Sequence, residues 1–147
     1  LVVDSNSFSM EELLRIRPWL IKPNEQEIES LIGERVNTLE QAKRAAVKIH
    51  DMGIDNVIIS MGKEGAVMAS AEWSGGVRAP SISPVSTIGA GDSMIAGFIG
   101  AYSQGLDRKE CLKNAVAFGT AACLTEGTAP PRYNDIQKIR DKVIELE

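Results

Sequence analysis

Short apolar runs typical of buried strands alternate along this chain with longer runs that have helical periodicity. The strand-like runs lie at residues 1–4, 20–21, 56–61 and 66–69, and most of the segments between them have the spacing of amphipathic helices. A helical crossover brings the next strand back in the same direction, so this pattern predicts parallel strands covered by helices. We therefore predict an α/β fold with a mostly parallel sheet flanked by helices on both faces.

Capping residues and glycines mark the helix boundaries. Gly97 and Gly100 inside one predicted helix indicate close packing against a neighbouring element. The last predicted helix extends through Val143 and Ile144. A short polar residue followed three positions later by Glu or Gln is typical of a helix start, and it predicts starts at Ser9, Asn24, Thr38, Asp107 and Asn134.

A turn of small residues stands directly before an apolar helical run. Gly89, Ala90 and Gly91 leave backbone N–H groups open to an anion where the helix dipole also favours negative charge. Asp92 follows, at a position where a carboxylate can take a proton from an attacking hydroxyl group. The arrangement indicates phosphoryl transfer, and the alternative interpretation is a tight turn whose aspartate favours the helix start. Met94 replaces the third glycine of a dinucleotide-binding fingerprint, and no P-loop sequence is present.

Charge and composition exclude several classes of function. The formal net charge is −4 and the Lys and Arg residues are scattered, so no nucleic-acid partner is expected. The apolar stretches are too short to cross a bilayer and no signal segment opens the chain, so a cytoplasmic location without a membrane partner is expected. Cys111 and Cys123 are expected to be free buried thiols, and His50, the only histidine, is expected to have no catalytic role.

Three short motifs follow one another along the chain. They are Lys22-Pro23-Asn24 with Glu27, Ser-Met-Gly-Lys-Glu-Gly at 60–65, and Gly-Ala-Gly-Asp at 89–92. In order and spacing they resemble the ATP-binding half of the ribokinase-like (PfkB-type) carbohydrate kinases, nearest the branch of 1-phosphofructokinase and tagatose-6-phosphate kinase. The resemblance covers the whole chain. It implies that residues 1–147 are the C-terminal half of a kinase domain, with the N-terminal half and the β-sheet lid absent.

The resemblance implies a role for the turn before the helix. Asp92 matches the catalytic base of the family, which takes the proton from the sugar hydroxyl as it attacks the γ-phosphate. Gly89, Ala90 and Gly91 match the anion hole, whose N–H groups stabilise charge on the transferred phosphoryl group.

Asn24 and Glu27 match the Asn-x-x-Glu motif with which the family holds Mg²⁺, largely through water. Hard cations that keep part of their hydration shell suit such oxygen ligands. The same spacing is also that of an ordinary helix capping box, and both interpretations stay open.

The remaining matches concern ATP. The resemblance implies that Lys22 reaches the phosphates, and the alternative is a solvated lysine at a strand end. Ser60, Gly62 and Gly65 match the nucleotide loop of the family, and the alternative is a plain hairpin turn. Gly119 lies in a segment of small residues that corresponds to the wall beside the adenine, although close packing between helices gives a similar sequence.

The resemblance also implies an activity. It is ATP-dependent phosphoryl transfer to a sugar phosphate, fructose 1-phosphate or tagatose 6-phosphate, with ATP and Mg²⁺ as cofactors. The full-length protein is expected to form a homodimer through its lid, and the fragment alone is expected to be inactive. The competing interpretation is a non-catalytic nucleotide-binding module.

Ser86 stands where ribokinases have an aspartate near a monovalent cation. Since a neutral hydroxyl is a poorer cation ligand than a carboxylate, dependence on K⁺ stays open.

Overall fold

The chain divides into two units, and the division falls inside a strand. A computed structural model describes residues 1–4 and 6–146. The first unit spans Leu1–Gly76 and the second spans Val77–Glu147. Within the described residues, no helix combines the length and the apolar character that crossing a bilayer requires.

The first unit alternates strands and helices in the predicted order. The helix starts predicted at Ser9, Asn24 and Thr38 are confirmed, because each side chain accepts a backbone N–H bond from the first turn of its helix. A 3₁₀ turn at Gly62–Glu64 connects the last two strands. The elements are β1 (Val2–Val3), α1 (Met10–Ile16), β2 (Leu20–Ile21), α2 (Glu25–Ile32), α3 (Leu39–Asp51), β3 (Asn56–Ser60) and β4 (Gly65–Ser70).

The strands β1, β2 and β3 run parallel to one another. Leu20 of β2 pairs with Val2 of β1 and with Asn56 of β3. Helical connections join these strands, as parallel pairing requires. β4 runs antiparallel to β3, which is the hairpin that the glycines at 62 and 65 predict. The predicted α/β class is confirmed.

The core of this unit lies where α3 packs on β3 and β4. Ala42, Ala46 and Ile49 recur at helical spacing on α3 and are fully buried. The central residues of β3, Val57 and Ile59, are also fully buried. Burial of each large aliphatic side chain contributes about 1.5–3 kcal/mol, so this apolar face stabilises the packing of α3 on β3 and β4.

Among the described residues, all of the remaining α-helices lie in the second unit. The strand that crosses the division pairs antiparallel with the last strand through Val77 and Arg78. The helix start predicted at Asp107 is confirmed, because its carboxylate accepts a bond from the Glu110 N–H at 2.9 Å. The elements are β5 (Ser74–Arg78), α4 (Ala90–Ser103), α5 (Arg108–Ala122), α6 (Tyr133–Arg140) and β6 (Ile144–Glu145).

Of the two interior glycines of α4, only Gly97 packs closely. A Cβ atom at Gly97 would lie 2.7 Å from Cγ of Phe118 and 2.8 Å from the carbonyl oxygen of Asn114, both on α5. The prediction of close packing is therefore confirmed at Gly97. It is wrong at Gly100, where no heavy atom lies within 4 Å, because this residue faces away from α5.

The prediction for the last helix is wrong at both ends. α6 begins at Tyr133 after Arg132, which makes no side-chain cap, so Asn134 lies inside the first turn. The helix ends at Arg140, and Ile144 belongs to β6. Tertiary contacts set the position of α6. Arg140 donates a hydrogen bond of 2.6 Å to Glu110 of α5, and the α6 residues Ile136 and Ile139 are buried.

Candidate functional site

Polar residues follow the carboxyl ends of the three parallel strands. Asp4 comes directly after β1, Lys22 directly after β2, and Ser60 is the last residue of β3. Ligands of open α/β sheets bind at this edge, because side chains and loops from neighbouring strands converge there. The first unit therefore has its candidate site at the carboxyl edge of β1, β2 and β3.

Lys22 is buried at this edge. Its side chain is 6% exposed, and its Nζ atom lies 3.5 Å from Oδ1 of Asp4, whose side chain is 26% exposed. The alternative interpretation of Lys22 as a solvated lysine at a strand end is wrong, because the tertiary structure covers its aliphatic stem and places a carboxylate beside its charge.

Asn24 is the N-cap of α2. Its Oδ1 atom accepts hydrogen bonds from the N–H groups of Gln26 at 3.0 Å and Glu27 at 2.9 Å. The backbone at Asn24 also continues β2, since it forms a parallel bridge with Ser60, and the Ser60 N–H donates to the carbonyl of Pro23 at 3.0 Å. The capping interpretation of Asn24 is thus confirmed.

Glu27 does not complete a capping box. Among the described residues, no hydrogen bond joins the Glu27 carboxylate to the N–H of Asn24, whereas Glu12 closes such a bond to Ser9 at 2.8 Å in α1. That bond to the Ser9 N–H lowers the pKa of the Glu12 carboxyl. The half-buried Glu27 carboxylate keeps its oxygens available, and such oxygens fit a hydrated Mg²⁺ ion.

The loop after β3 is a tight turn that requires glycine at two positions. Gly62 has φ 55° and Gly65 has φ 128°, and the Met61 N–H donates to the Gly65 carbonyl at 2.9 Å. Side chains rarely adopt such dihedral angles, so the hairpin alone explains both glycines. It does not explain Ser60, whose hydroxyl group makes no hydrogen bond within the described part of the chain.

In the second unit, the turn of small residues forms the N-terminus of α4. Gly89 is the N-cap with φ 80°, and Asp92 is the third residue of the helix. No side chain caps this end. The N–H groups of Gly91 and Asp92 donate to no acceptor within residues 1–4 and 6–146, and the Asp92 side chain is exposed. The first turn of α4 therefore contains both the unpaired N–H groups that a helix N-terminus leaves and the Asp92 carboxylate.

Gly119 of α5 packs against that first turn. A Cβ atom there would lie 2.5 Å from Cγ of Met94 and 3.2 Å from the carbonyl oxygen of Ala90. The carbonyl of Cys123 accepts hydrogen bonds from the N–H groups of Val85 at 2.7 Å and Ser86 at 3.2 Å, so the end of α5 also holds the segment before the turn. The close approach of α4 is sufficient to explain why position 119 is glycine, so no ligand is needed to account for it.

The thiols and the histidine have structural surroundings. Cys111 and Cys123 are both free thiols, as expected, but only Cys111 is buried and Cys123 is half-buried. Desolvation raises the pKa of both thiols. The His50 ring is held by a contact of 2.7 Å between Nδ1 and the carbonyl of Ile54. This contact ties the end of α3 to the residues that precede β3.

Comparison with known proteins identifies the family. The model of the pfkB family carbohydrate kinases matches residues 2–134. The chain belongs to the pfkB family. A relative in this family, 1-phosphofructokinase of Haemophilus influenzae, is 37% identical over 145 residues, which are 97% of this chain and 46% of the relative.

Solved structures of pfkB kinases and related enzymes have the same fold. Phosphofructokinase-2 from Escherichia coli in complex with potassium is 31% identical with a TM-score of 0.86, over 96% of this chain and 46% of that chain. Ribokinase from Arabidopsis thaliana complexed with ribose and ATP is 27% identical with a TM-score of 0.79, over 95% of this chain and 46% of the ribokinase chain. The predicted ribokinase-like fold is confirmed, and the chain spans about half the length of the relatives it matches.

In this pfkB chain, Asp4 is a site residue that the sequence pattern does not indicate. The pattern makes Asp4 only the end of a strand-like run, whereas the structure pairs its carboxylate with Lys22. An acidic residue directly after one parallel strand and a basic residue directly after another was the available signal. Their pairing could not be predicted, because the order of neighbouring strands is a property of the sheet.

Proposed function

We propose that this chain is the C-terminal half of an ATP-dependent sugar-phosphate kinase, a 1-phosphofructokinase that converts fructose 1-phosphate to fructose 1,6-bisphosphate. The observation that carries the proposal is the first turn of α4, where an exposed Asp92 carboxylate accompanies backbone N–H groups without acceptors. The similarity to a relative named 1-phosphofructokinase supports this substrate over tagatose 6-phosphate.

The proposed reaction is an in-line phosphoryl transfer. The Asp92 carboxylate takes the proton of the sugar hydroxyl group while its oxygen forms a bond to the γ-phosphorus atom of ATP, and the bond from that phosphorus to ADP breaks. In the turn of Gly89, Ala90 and Gly91, the Gly91 N–H has no acceptor among the described residues and stabilises negative charge on the transferred group, whereas the Ala90 N–H already donates to the Thr87 carbonyl at 3.4 Å. ATP supplies the phosphoryl group, and Mg²⁺ neutralises phosphate charge when bound.

The first unit contributes residues for the nucleotide and the metal. Glu27 holds hydrated Mg²⁺ through its available carboxylate, and Asn24 positions that carboxylate by capping α2. The nucleotide is bound by Lys22 and the Ser60 hydroxyl, and Gly62 and Gly65 shape the loop backbone beside it. The ATP named with the Arabidopsis ribokinase supports this assignment. A cytoplasmic homodimer formed through the lid completes the proposal, and E. coli phosphofructokinase-2 has a structure in a tetrameric inhibited form.

The function is tested with the full-length protein that contains this chain and with residues 1–147 alone. We expect the full-length protein to phosphorylate fructose 1-phosphate at least about tenfold more efficiently than tagatose 6-phosphate, a modest discrimination between similar sugars. Residues 1–147 alone are expected to bind nucleotide weakly and to phosphorylate neither sugar, because catalysis needs donor and acceptor held together. A monodisperse 147-residue chain with robust turnover would contradict the half-domain proposal. Nucleotide binding without sugar phosphorylation by the full-length protein would favour the non-catalytic module.

The metal role of Glu27 is tested by Glu27→Gln in the full-length protein. The substitution removes the charge and keeps a polar side chain that forms no capping bond. The Mg²⁺ concentration for half-maximal activity is expected to rise about tenfold, a common effect of losing an outer contact to a metal. The unfolding temperature is expected to stay within about 2 °C of the parent value.

Glu25→Gln is the matched control for this substitution. Glu25 and Glu27 both lie in the first turn of α2 and both interact with its dipole, but Glu25 is exposed. An equal change in Mg²⁺ dependence for the two variants would mean that the effect is general electrostatics. A fall in stability without a change in Mg²⁺ dependence would make Glu27 a structural residue.

A further inference from the structure

The buried side chain of Lys22 ends in an ammonium group beside the carboxylate of Asp4. Within residues 1–4 and 6–146, Asp4 is the one acidic residue within ion-pair distance of Nζ. Removal of a lysine charge from water is costly unless a carboxylate or another anion compensates it. The parallel register places Asp4 next to Lys22, since Val3 and Ile21, the residues before them, are paired.

Stability alone explains this pair poorly. An ion pair buried in a protein is often no more stabilising than apolar side chains of similar volume. The unit also contains ordinary surface pairs, such as Lys48 and Glu34, whose side chains are 54% and 51% exposed. Lys22 differs from them because its side chain is 6% exposed.

The geometry leaves hydrogen-bonding capacity on Lys22. The distance of 3.5 Å to Oδ1 of Asp4 is beyond the usual hydrogen-bond range, so the contact orients the charge without using its donors fully. An ammonium group has three N–H donors. Asn24 follows two residues later in extended conformation, so its side chain leaves the backbone on the same side as Lys22.

We propose that Asp4 is a positioning residue that holds the Lys22 ammonium at the carboxyl edge of the sheet for the phosphate groups of the nucleotide. The inference rests on the proposed function, because it adds a residue to the nucleotide site. Asp4 contacts no substrate in this role. Its carboxylate keeps the lysine ammonium directed while the site is free of nucleotide, and the unused donors bind phosphate oxygens when the nucleotide enters.

The test measures Mg²⁺·ATP binding by calorimetry and steady-state kinetics on the full-length protein. Asp4→Asn is expected to raise Kd and KM for ATP about tenfold, the usual effect of losing a charge-assisted contact, with KM for the sugar phosphate unchanged. Asp4→Glu is expected to restore most of the affinity. Lys22→Met is expected to weaken ATP binding at least as strongly as Asp4→Asn.

The double variant separates positioning from a structural role. If Asp4 acts through Lys22, then Asp4→Asn adds no further loss of ATP affinity to Lys22→Met. The double variant also removes both charges together, so it keeps the test valid if Asp4→Asn alone fails to fold. Glu34→Gln, which breaks the exposed pair with Lys48, is the control and is expected to leave ATP affinity unchanged.

Two results would overturn the inference while leaving the proposed function intact. One is a Kd for ATP within twofold of the parent value in Asp4→Asn, and the other is a loss in the double variant equal to the product of the two single losses. A parent protein that binds no ATP would instead contradict the proposed function itself, and the inference with it.

Discussion

Asp92→Asn in the full-length protein is expected to lower kcat by about 10²–10⁴, the usual contribution of a positioned general base. The amide that replaces the carboxylate is almost isosteric and cannot accept the proton of the sugar hydroxyl. The exposed side chain makes no hydrogen bond within the described residues, so the fold and the Kd for ATP are expected to stay near the parent values. Single-turnover kinetics, ATP calorimetry and thermal unfolding measure the three quantities.

Asp135→Asn is the matched control. Asp135 is the third residue of α6, as Asp92 is the third residue of α4, so each substitution removes a similar interaction with a helix dipole. Only Asp92→Asn should change kcat. A kcat for Asp92→Asn near the parent value would exclude Asp92 as the base and would leave the first turn of α4 as a binding element.

Gly97→Ala is expected to destabilise the protein by roughly 1–3 kcal/mol, the typical cost of overpacking. The added Cβ would meet the ring of Phe118 at 2.7 Å and the backbone carbonyl of Asn114 at 2.8 Å. The backbone at Asn114 cannot easily move away from α4, because the Asn114 side chain also donates a hydrogen bond of 2.9 Å from Nδ2 to the Gly97 carbonyl. Alanine improves helix propensity by about 1 kcal/mol at most, so the steric cost dominates. Urea unfolding measures the difference.

Gly100→Ala on the same helix has the opposite expected sign. A Cβ atom at Gly100 would have no heavy atom within 4 Å, so the substitution is expected to stabilise by about 0.5–1 kcal/mol through helix propensity. Equal effects of the two alanines would contradict the packing of α4 on α5. Since α4 begins with the turn that precedes Asp92, Gly97→Ala is also expected to lower kcat more than Gly100→Ala.

Features that depend on a few neighbouring residues were predicted correctly. The caps at Ser9, Thr38 and Asp107 depend on a side chain and a backbone N–H in the next turn, so the local sequence contains both partners. The buried face of α3 follows from residue spacing alone. The motifs around Asn24 and Asp92 were recognised in the same way, and the family match agrees with that recognition.

Features that depend on distant partners were not predictable. The sequence of α6 contains a capping pattern at Asn134, but the contact of Arg140 with Glu110, 30 residues away, accompanies a different helix start. Gly97 and Gly100 look alike in sequence, and only the position of α5 distinguishes them. Nearest-neighbour patterns contain no information about which residue of another helix will approach.

The sequence by itself determined the alternation of strands and helices, because that alternation depends on the periodicity of apolar residues. It also determined most caps and turns, and the small residues that stand before Asp92, because these depend on residues within one turn of each other. Tertiary structure alone decided that Lys22 is buried beside Asp4 and that Gly119 packs against the first turn of α4. These arrangements join residues from separate strands or helices. Their energies depend on burial and distance, which exist only when the sheet and the helices have assembled.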